Sequence, residues 1–237
     1  MTNSISNIPV ITIDGPSGVG KGTLSALLAK HHGWNYLDSG ALYRITAYAA
    51  LINHIPLTDA KEKETEIAKL ALSLNIQFKN NGEICLDNNN IYQSIRTQEC
   101  GNNASIIAAL PKVREALLQK QKNFLTAPGL VADGRDMGTV VFPQALYKIF
   151  LTASAEERGK RRYKQLQNNE DNAIVSGSPE CLVSIEKITD EIKQRDERDM
   201  NRSISPLIPA KDAFVIDTSN MSVDEVFNKI LSLCQPV

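Results

Sequence analysis

The apolar run Ile8–Ile13 is long enough for one buried strand, and the stretch LSALLAK that begins at Leu24 is built from strong helix formers. Four further short apolar runs follow, at Asn35–Leu37, Leu130–Ala132, Tyr147–Leu151 and Phe214–Ile216. Helical or loop-rich segments separate most of them, and that alternation predicts an α/β fold with a five-stranded parallel sheet. Polar residues punctuate the strand ends: Asp14-Gly15, Asp38-Ser39-Gly40, Asp133-Gly134, Thr152 to Ser154, and Asp217 to Asn220. In open α/β sheets these carboxyl ends are where ligands lie. Two stretches break the pattern. From about Leu72 to Thr97, polar and apolar residues alternate around an Asn80-Asn81-Gly82 turn, with a further short strand expected at Ile91 after Asn88-Asn89-Asn90. This predicts a small antiparallel insert. The polar segment Gln165–Cys181 lies between two charged helices and predicts a mobile loop.

Between the first strand and the first helix lies Gly15–Thr23, GPSGVGKGT. A G-x-x-x-x-G-K pattern in that setting is a phosphate loop. Gly15, Pro16, Ser17, Gly18, Val19, Gly20, Lys21, Gly22 and Thr23 form the candidate triphosphate cradle, with inward backbone N–H groups and the positive end of a helix dipole. Lys21 can reach the outer phosphates as a mobile charge. Gly22 stands where Ser or Thr is commoner, and the hydroxyl arrives one position later at Thr23. The GKGT form resembles nucleoside monophosphate kinases, in which Mg²⁺ is held largely through waters and substrate phosphates.

Four other segments carry chemistry. In Leu37–Arg44, LDSGALYR, Ser39 is the expected N-cap, and Tyr43 and Arg44 follow on the helix, where Arg44 can grip a phosphate. A capped helix with a surface arginine fits this segment as well. Asp133–Gly138, DGRDMG, ends the middle strand with two carboxylates around Arg135. Asp133 beside a phosphate loop suits Mg²⁺, whereas an Arg135–Asp136 bridge closing the loop is the plainer reading. Arg195, Asp199 and Arg202 share one helical face, although Glu191, Arg195 and Asp199 are also spaced for ion pairs on a solvated helix. Arg158 and Arg162 share a face within EERGKRRYK, with Arg161 adjacent; like charges at that spacing favour a bound anion.

Composition narrows the partners. A net charge of -1 gives no global field for nucleic acid or an anionic membrane, so anion binding must come from local clusters. No apolar run approaches a membrane span and the first residues lack a signal-peptide core, so a cytoplasmic protein is expected. Cys85, Cys100, Cys181 and Cys234 form no C-x-x-C pair, which argues against zinc and disulfides. No sequence stripe marks a dimer interface, and a monomer is expected.

With these segments placed, the chain resembles the bacterial cytidylate kinases over nearly its whole length. The residues that carry the resemblance are GPSGVGKGT, LDSGALYR, IRTQE (Ile95–Glu99), Asn103-Ala104-Ser105, Val113-Arg114-Glu115, ADGRDMGTVVFP (Ala132–Pro143) and RDERDMNR (Arg195–Arg202). The resemblance implies ATP as donor with Mg²⁺, and CMP or dCMP as acceptor. It puts Ser105, Arg114 and Asp136 on the cytosine and Asp199 on the ribose. Ser39, Tyr43, Arg44, Arg135, Arg195 and Arg202 would complete the CMP site, most of them around its phosphate. Lys21, Arg135, Arg158 and Arg162 would act in transfer, and Arg158, Arg161 and Arg162 on ATP. Thr23 and Asp133 are the candidate Mg²⁺ contacts, direct or through water. The expected organisation is a P-loop core (1–38, 115–155, 204–237), a CMP-binding region (39–114) and a lid (156–203). The segment Gln165–Cys181 is longer than the family's usual lid, which leaves open which lid arginine meets phosphate. Related kinases for UMP, AMP or shikimate are the nearest alternatives. A GTP-binding switch would want an N-K-x-D motif, which the sequence lacks.

Overall fold

The computed structural model describes residues 8–78, 83–171 and 184–234. Its centre is a parallel sheet of five strands: β1 (Val10–Asp14), β2 (Asn35–Asp38), β6 (Leu130–Gly134), β7 (Tyr147–Thr152) and β8 (Phe214–Asp217), in the order β2-β6-β1-β7-β8. Every residue of β1 and of β6 is buried, as strands flanked on both sides in a two-faced parallel sheet must be. Alternate residues feed opposite layers. Leu130 and Ala132 join one core with helices α2 (Ser39–Ile52), α3 (Glu64–Ser73), α5 (Gln98–Ile107) and α6 (Pro111–Lys122). Val131, with Ile11 and Ile13, joins a second core under α1 (Lys21–His32) and α9 (Val223–Leu233). β1 starts at Val10, two residues later than the apolar run, because Pro9 has no N–H to give a ladder.

The antiparallel insert is present as β3 (Ile76–Phe78), β4 (Ile84–Leu86) and β5 (Asn89–Asn90), followed by the single turn α4 (Tyr92–Ile95). It is rooted through Ile84, Leu86, Ile91 and Ile95, which pack on Ala41, Ile45 and Ala49 of α2. The last turn falls earlier than expected. Asp87 and Asn88 adopt φ of 50° and 68°, the left-handed pair of a two-residue hairpin loop, so the third strand is Asn89–Asn90 and Ile91 caps α4 instead. The expected Asn80–Gly82 turn lies outside the described residues.

Two charged helices, α7 (Ala155–Asp171) and α8 (Ile185–Met200), pack together beside the sheet. α7 continues through Gln165 to Asp171, correcting the expected loop start; Gln165–Asp171 contains no Gly or Pro to stop a helix. The rest of the expected loop, 172–181, lies outside the described residues, as does Cys181. Cys85, Cys100 and Cys234 are free, buried thiols.

Core packing sets the stability. Leu130→Ala empties a fully buried site in the middle of the sheet and is expected to lower the unfolding free energy by about 2–5 kcal/mol. Val215→Ala, at a position 57 % exposed on the edge strand, is expected to change it by less than about 0.5 kcal/mol. Urea denaturation of the two variants measures the contrast.

Candidate active site

A cleft of about 300 Å³ opens at the carboxyl ends of β1, β2 and β6, between the phosphate loop and the helices α2, α5, α6 and α8. Its floor is Ser17, Gly18 and Gly20 to Thr23. The loop leaves β1 through Gly15 at φ 147°, where an added Cβ would stand 2.2 Å from the Leu151 carbonyl oxygen, so only glycine fits. Gly20 caps α1 without a side-chain hydrogen bond, which leaves that helix's first N–H groups for an anion. Lys21 is buried and donates from Nζ to the Pro16 carbonyl at 2.7 Å. Burial and the nearby Arg135 pull its pKa below the ordinary lysine value. Gly15, Pro16 and Val19 support the loop from behind and do not line the cleft.

Asp133, the penultimate residue of β6, lies beside this loop. It accepts a 2.7 Å hydrogen bond from the Tyr36 hydroxyl, and a Cβ on Gly22 would stand 3.7 Å from its Oδ2. The carboxylate therefore faces the first turn of α1, where Thr23 sits. Burial and the neighbouring Asp38 push its pKa above the usual carboxylate range. Asp38, not Ser39, caps α2: its Oδ1 accepts from the Ala41 N–H at 2.9 Å, and the buried Ser39 is the first helical residue. The longer reach of the Asp side chain at the strand end wins the cap.

The far wall is built on two ion-paired carboxylates. Asp136 is joined to Arg114, both buried, and Arg114 also donates to the Ala108 carbonyl at 3.2 Å while its Cζ lies 5.7 Å from the centre of the Tyr43 ring. Asp199 accepts from Ser105 Oγ at 3.0 Å, Arg135 Nε at 2.9 Å and Arg202 at 3.0 Å. Burial opposes ionisation of Asp199, but Arg135, Arg202 and Arg195 together outweigh it and bring its carboxyl down to about 2. Arg135 and Asp136 thus each find a partner elsewhere, and the loop-closing bridge between them does not form. Nor is α8 a solvated ion-pair ladder: Glu191 accepts from Gln98 at 3.1 Å while Asp199 faces inward.

Arg195 lies between the walls. It reaches Ser17 Oγ at 3.5 Å, its Nε has no hydrogen-bond partner, and burial followed by Arg135 lowers its pKa to about 9. Arg44 donates to the Ile95 and Thr97 carbonyls at 2.8 and 3.1 Å and lines the cleft, as does Arg96, which pairs with Asp38 at 3.1 Å. Arginines and Lys21 outnumber carboxylates in the lining, although the chain as a whole carries a charge of -1. The arrangement can hold two phosphorylated ligands end to end.

The three arginines of α7 separate. Arg158 is buried outside the cleft lining; it donates to the carbonyls of Ser17 (3.1 Å) and Ala153 (3.0 Å) and pairs with Asp196. Arg161 points away from the cleft, donating to Thr218 O at 2.6 Å. Arg162 is outside the cleft lining but reaches Gln165, which belongs to it, at 3.4 Å. Sequence reading passed over Arg96, Gln165 and the buried Asp14, whose carboxylate accepts 2.8 Å bonds from the N–H groups of Met137 and Gly138. Asp14 carried a signal as a charged residue closing an apolar strand, and Arg96 as part of the IRTQE run.

The chain matches the family model described as "Cytidylate kinase" over residues 11–236. The cytidylate kinase of Shewanella sp. (strain W3-18-1) is 54% identical over 228 residues, covering 94% of this chain and 93% of that one. The cytidylate kinase of Shewanella denitrificans is 53% identical, with 94% of each chain covered. Among solved structures, a shikimate kinase from Bacteroides thetaiotaomicron gives a TM-score of 0.42 at 10% identity, covering 95% of this chain and 97% of that one. That likeness is too distant to add weight. A family match over nearly the whole length, with relatives at more than half identity, means that the chain belongs to the cytidylate kinase family.

Proposed function

We propose that the protein transfers the γ-phosphoryl group of ATP to CMP, and to dCMP, giving the diphosphates. The observation that carries this reading is the single cleft in which the phosphate loop faces the Arg114–Asp136 pair across a belt of arginines. The pair offers one donor and one acceptor side by side. Cytosine matches it, with an amino group for Asp136 and an acceptor edge for Arg114. A uracil would turn a carbonyl oxygen towards Asp136. Ser105 joins the pair at the cytosine, Asp199 meets the ribose, and Tyr43, Arg44, Arg135, Arg195 and Arg202 surround the acceptor phosphate.

Phosphoryl transfer asks chiefly for alignment and for positive charge around the moving group. Lys21 and the N-terminus of α1 hold the donor's outer phosphates, while Arg135 and Arg195 stand between donor and acceptor. The oxygen donors Thr23 and Asp133 share one wall, and no cluster of three or more His, Cys, Asp or Glu suited to a metal occurs among the described residues. That set fits Mg²⁺ carried mainly by the nucleotide, with Asp133 and Thr23 contributing directly or through water. Bound there, Mg²⁺ would neutralise charge on the β- and γ-phosphates. Arg162 is the lid arginine best placed to reach the transferring group; Arg158 braces the phosphate loop, and Arg161 fixes α7 against the β8–α9 turn. The division into core, acceptor region and lid follows these roles. The same reading makes the protein a cytoplasmic monomer acting on free nucleotides.

Four substitutions test this reading. Lys21→Ala should lower kcat by two to three orders of magnitude, about 3–4 kcal/mol, with the circular dichroism spectrum unchanged; steady-state rates with saturating ATP measure it. Asp136→Asn should lose CMP activity and narrow the gap to UMP, because the amide can donate to the uracil carbonyl. The mismatch removed is about 1–3 kcal/mol, roughly 5- to 150-fold in the CMP:UMP ratio of kcat/KM. Arg158→Ala breaks a buried pair and should lower stability by about 3–5 kcal/mol. Arg162→Ala should instead lower kcat with the melting temperature unmoved. Thermal melts beside rate measurements separate the two arginines.

A further inference from the structure

Asp14 stands between the two halves of the cleft without lining either. It is the last residue of β1, and the glycine that opens the phosphate loop follows it directly. It is 5 % exposed, and its two carboxylate oxygens each accept one backbone N–H at 2.8 Å, Oδ1 from Met137 and Oδ2 from Gly138. These donors immediately follow Asp136. They begin the π-helical turn Met137–Val141, whose later N–H groups return to the carbonyl of Asp136: Val140 at 2.9 Å and Val141 at 3.2 Å. The backbone of Asp136 is therefore gripped at its own carbonyl by the turn, and the turn is gripped at its start by Asp14.

The close approach needs Gly138. A Cβ there would stand 2.8 Å from Thr12 Oγ1, on the strand that carries Asp14. Burial makes an ionised carboxylate costly at this position and pushes the Asp14 carboxyl up to about 7 in spite of the two bonds it accepts. The bidentate grip fixes orientation as well as distance.

We propose that Asp14 is a positioning residue for base selection, holding the Asp136 carboxylate in register with Arg114 by clamping the two N–H groups that follow it. The inference rests on the reading of Asp136 and Arg114 as the cytosine contacts. Asp14→Asn turns one acceptor into a donor facing an N–H, which frees one end of the clamp. The KM for CMP is expected to rise at least tenfold and the CMP:UMP ratio of kcat/KM to fall at least threefold. The affinity for ATP alone, measured by calorimetry, is expected to stay within twofold. Gly138→Ala drives the new Cβ against Thr12 and should produce the same pattern; adding Thr12→Ala removes the tightest contact, leaving the flexible Lys148 methylenes at 3.2 Å to give way, and should restore most of the ratio. If Asp14→Asn does not fold, that pair of variants decides the matter. Equal losses in ATP and CMP affinity, or a lower melting temperature with the CMP:UMP ratio intact, would overturn the proposal. Asp136→Asn in the same assay distinguishes the failures. If it leaves the ratio unchanged, the cytosine assignment falls and this inference with it. If it shifts the ratio while neither Asp14→Asn nor Gly138→Ala does, this inference alone falls.

Discussion

Keeping several guanidinium groups charged inside one partly buried cleft is the constraint to which the rest of the site answers. Burial lowers the pKa of Arg195, Arg202 and Lys21, and the positive charge of the neighbouring Arg135 pulls each of them further down. Left alone, such a cluster would repel itself and pay heavily for lost hydration. Asp199 answers it. One carboxylate takes bonds from Arg135, Arg202 and Ser105, and its low pKa keeps it ionised across the whole physiological range. The offset is incomplete, because cations still exceed carboxylates in the lining. The remaining positive charge is what phosphate groups would neutralise, so the same imbalance that strains the folded protein favours its substrates.

The sheet order makes this convergence possible. Placing β6 between β2 and β1 sets the ends Asp38, Asp133 and Asp14 side by side, each followed by a segment that turns into the cleft. A sheet wound in simple sequence order would separate the phosphate loop from the DGRD turn. α8 supplies the remaining side: Arg195 and Asp199 line the cleft from the helix, and Arg202 joins them from two residues past its end, so the helical face expected for all three holds only for the first two. Residues nearly 190 positions apart in the chain, Asp14 and Arg202, are thereby brought to one cavity's edge.

Much of this was legible in the sequence, for identifiable reasons. The five strands announced themselves because strands buried on both faces read as unbroken apolar runs. The phosphate loop announced itself because its glycines have no cheaper explanation than backbone approach to an anion. Spacing could place Arg195, Asp199 and Arg202 on one face but could not say whether the face was wet; only the packing of α8 against α5 decides that. The three α7 arginines were indistinguishable in sequence, since one helical turn carries them all. Their separation depends on Asp196, Thr218 and Gln165, which arrive from elsewhere in the chain or lie just beyond. Arg96 stands in the IRTQE run, but its place in the site was not legible there, because its partner Asp38 is distant and its own turn is too short for periodicity. The Asp38 cap and the Asp87-Asn88 turn were missed by one or two residues, where several small polar side chains compete and local propensity does not choose.

The two halves of the cleft differ in how firmly their arginines are held, and the difference matches the tasks they face. Arg114 is fixed from three sides, by Asp136, by the Ala108 carbonyl and by the Tyr43 ring. Reading a base edge depends on angle as much as distance, and a guanidinium free to rotate would offer a donor to uracil and cytosine alike. Arg162 has a far weaker hold, a 3.4 Å contact to Gln165 from a half-buried position. A group that must meet charge developing on a phosphoryl in transit needs reach more than fixed orientation, because the field it supplies falls off slowly with angle. If Arg114 reads the base and Arg162 meets the transferring group, as proposed, rigid recognition on α6 beside adjustable charge on α7 is the division of labour that a kinase selecting one base, yet transferring a nearly featureless group, requires.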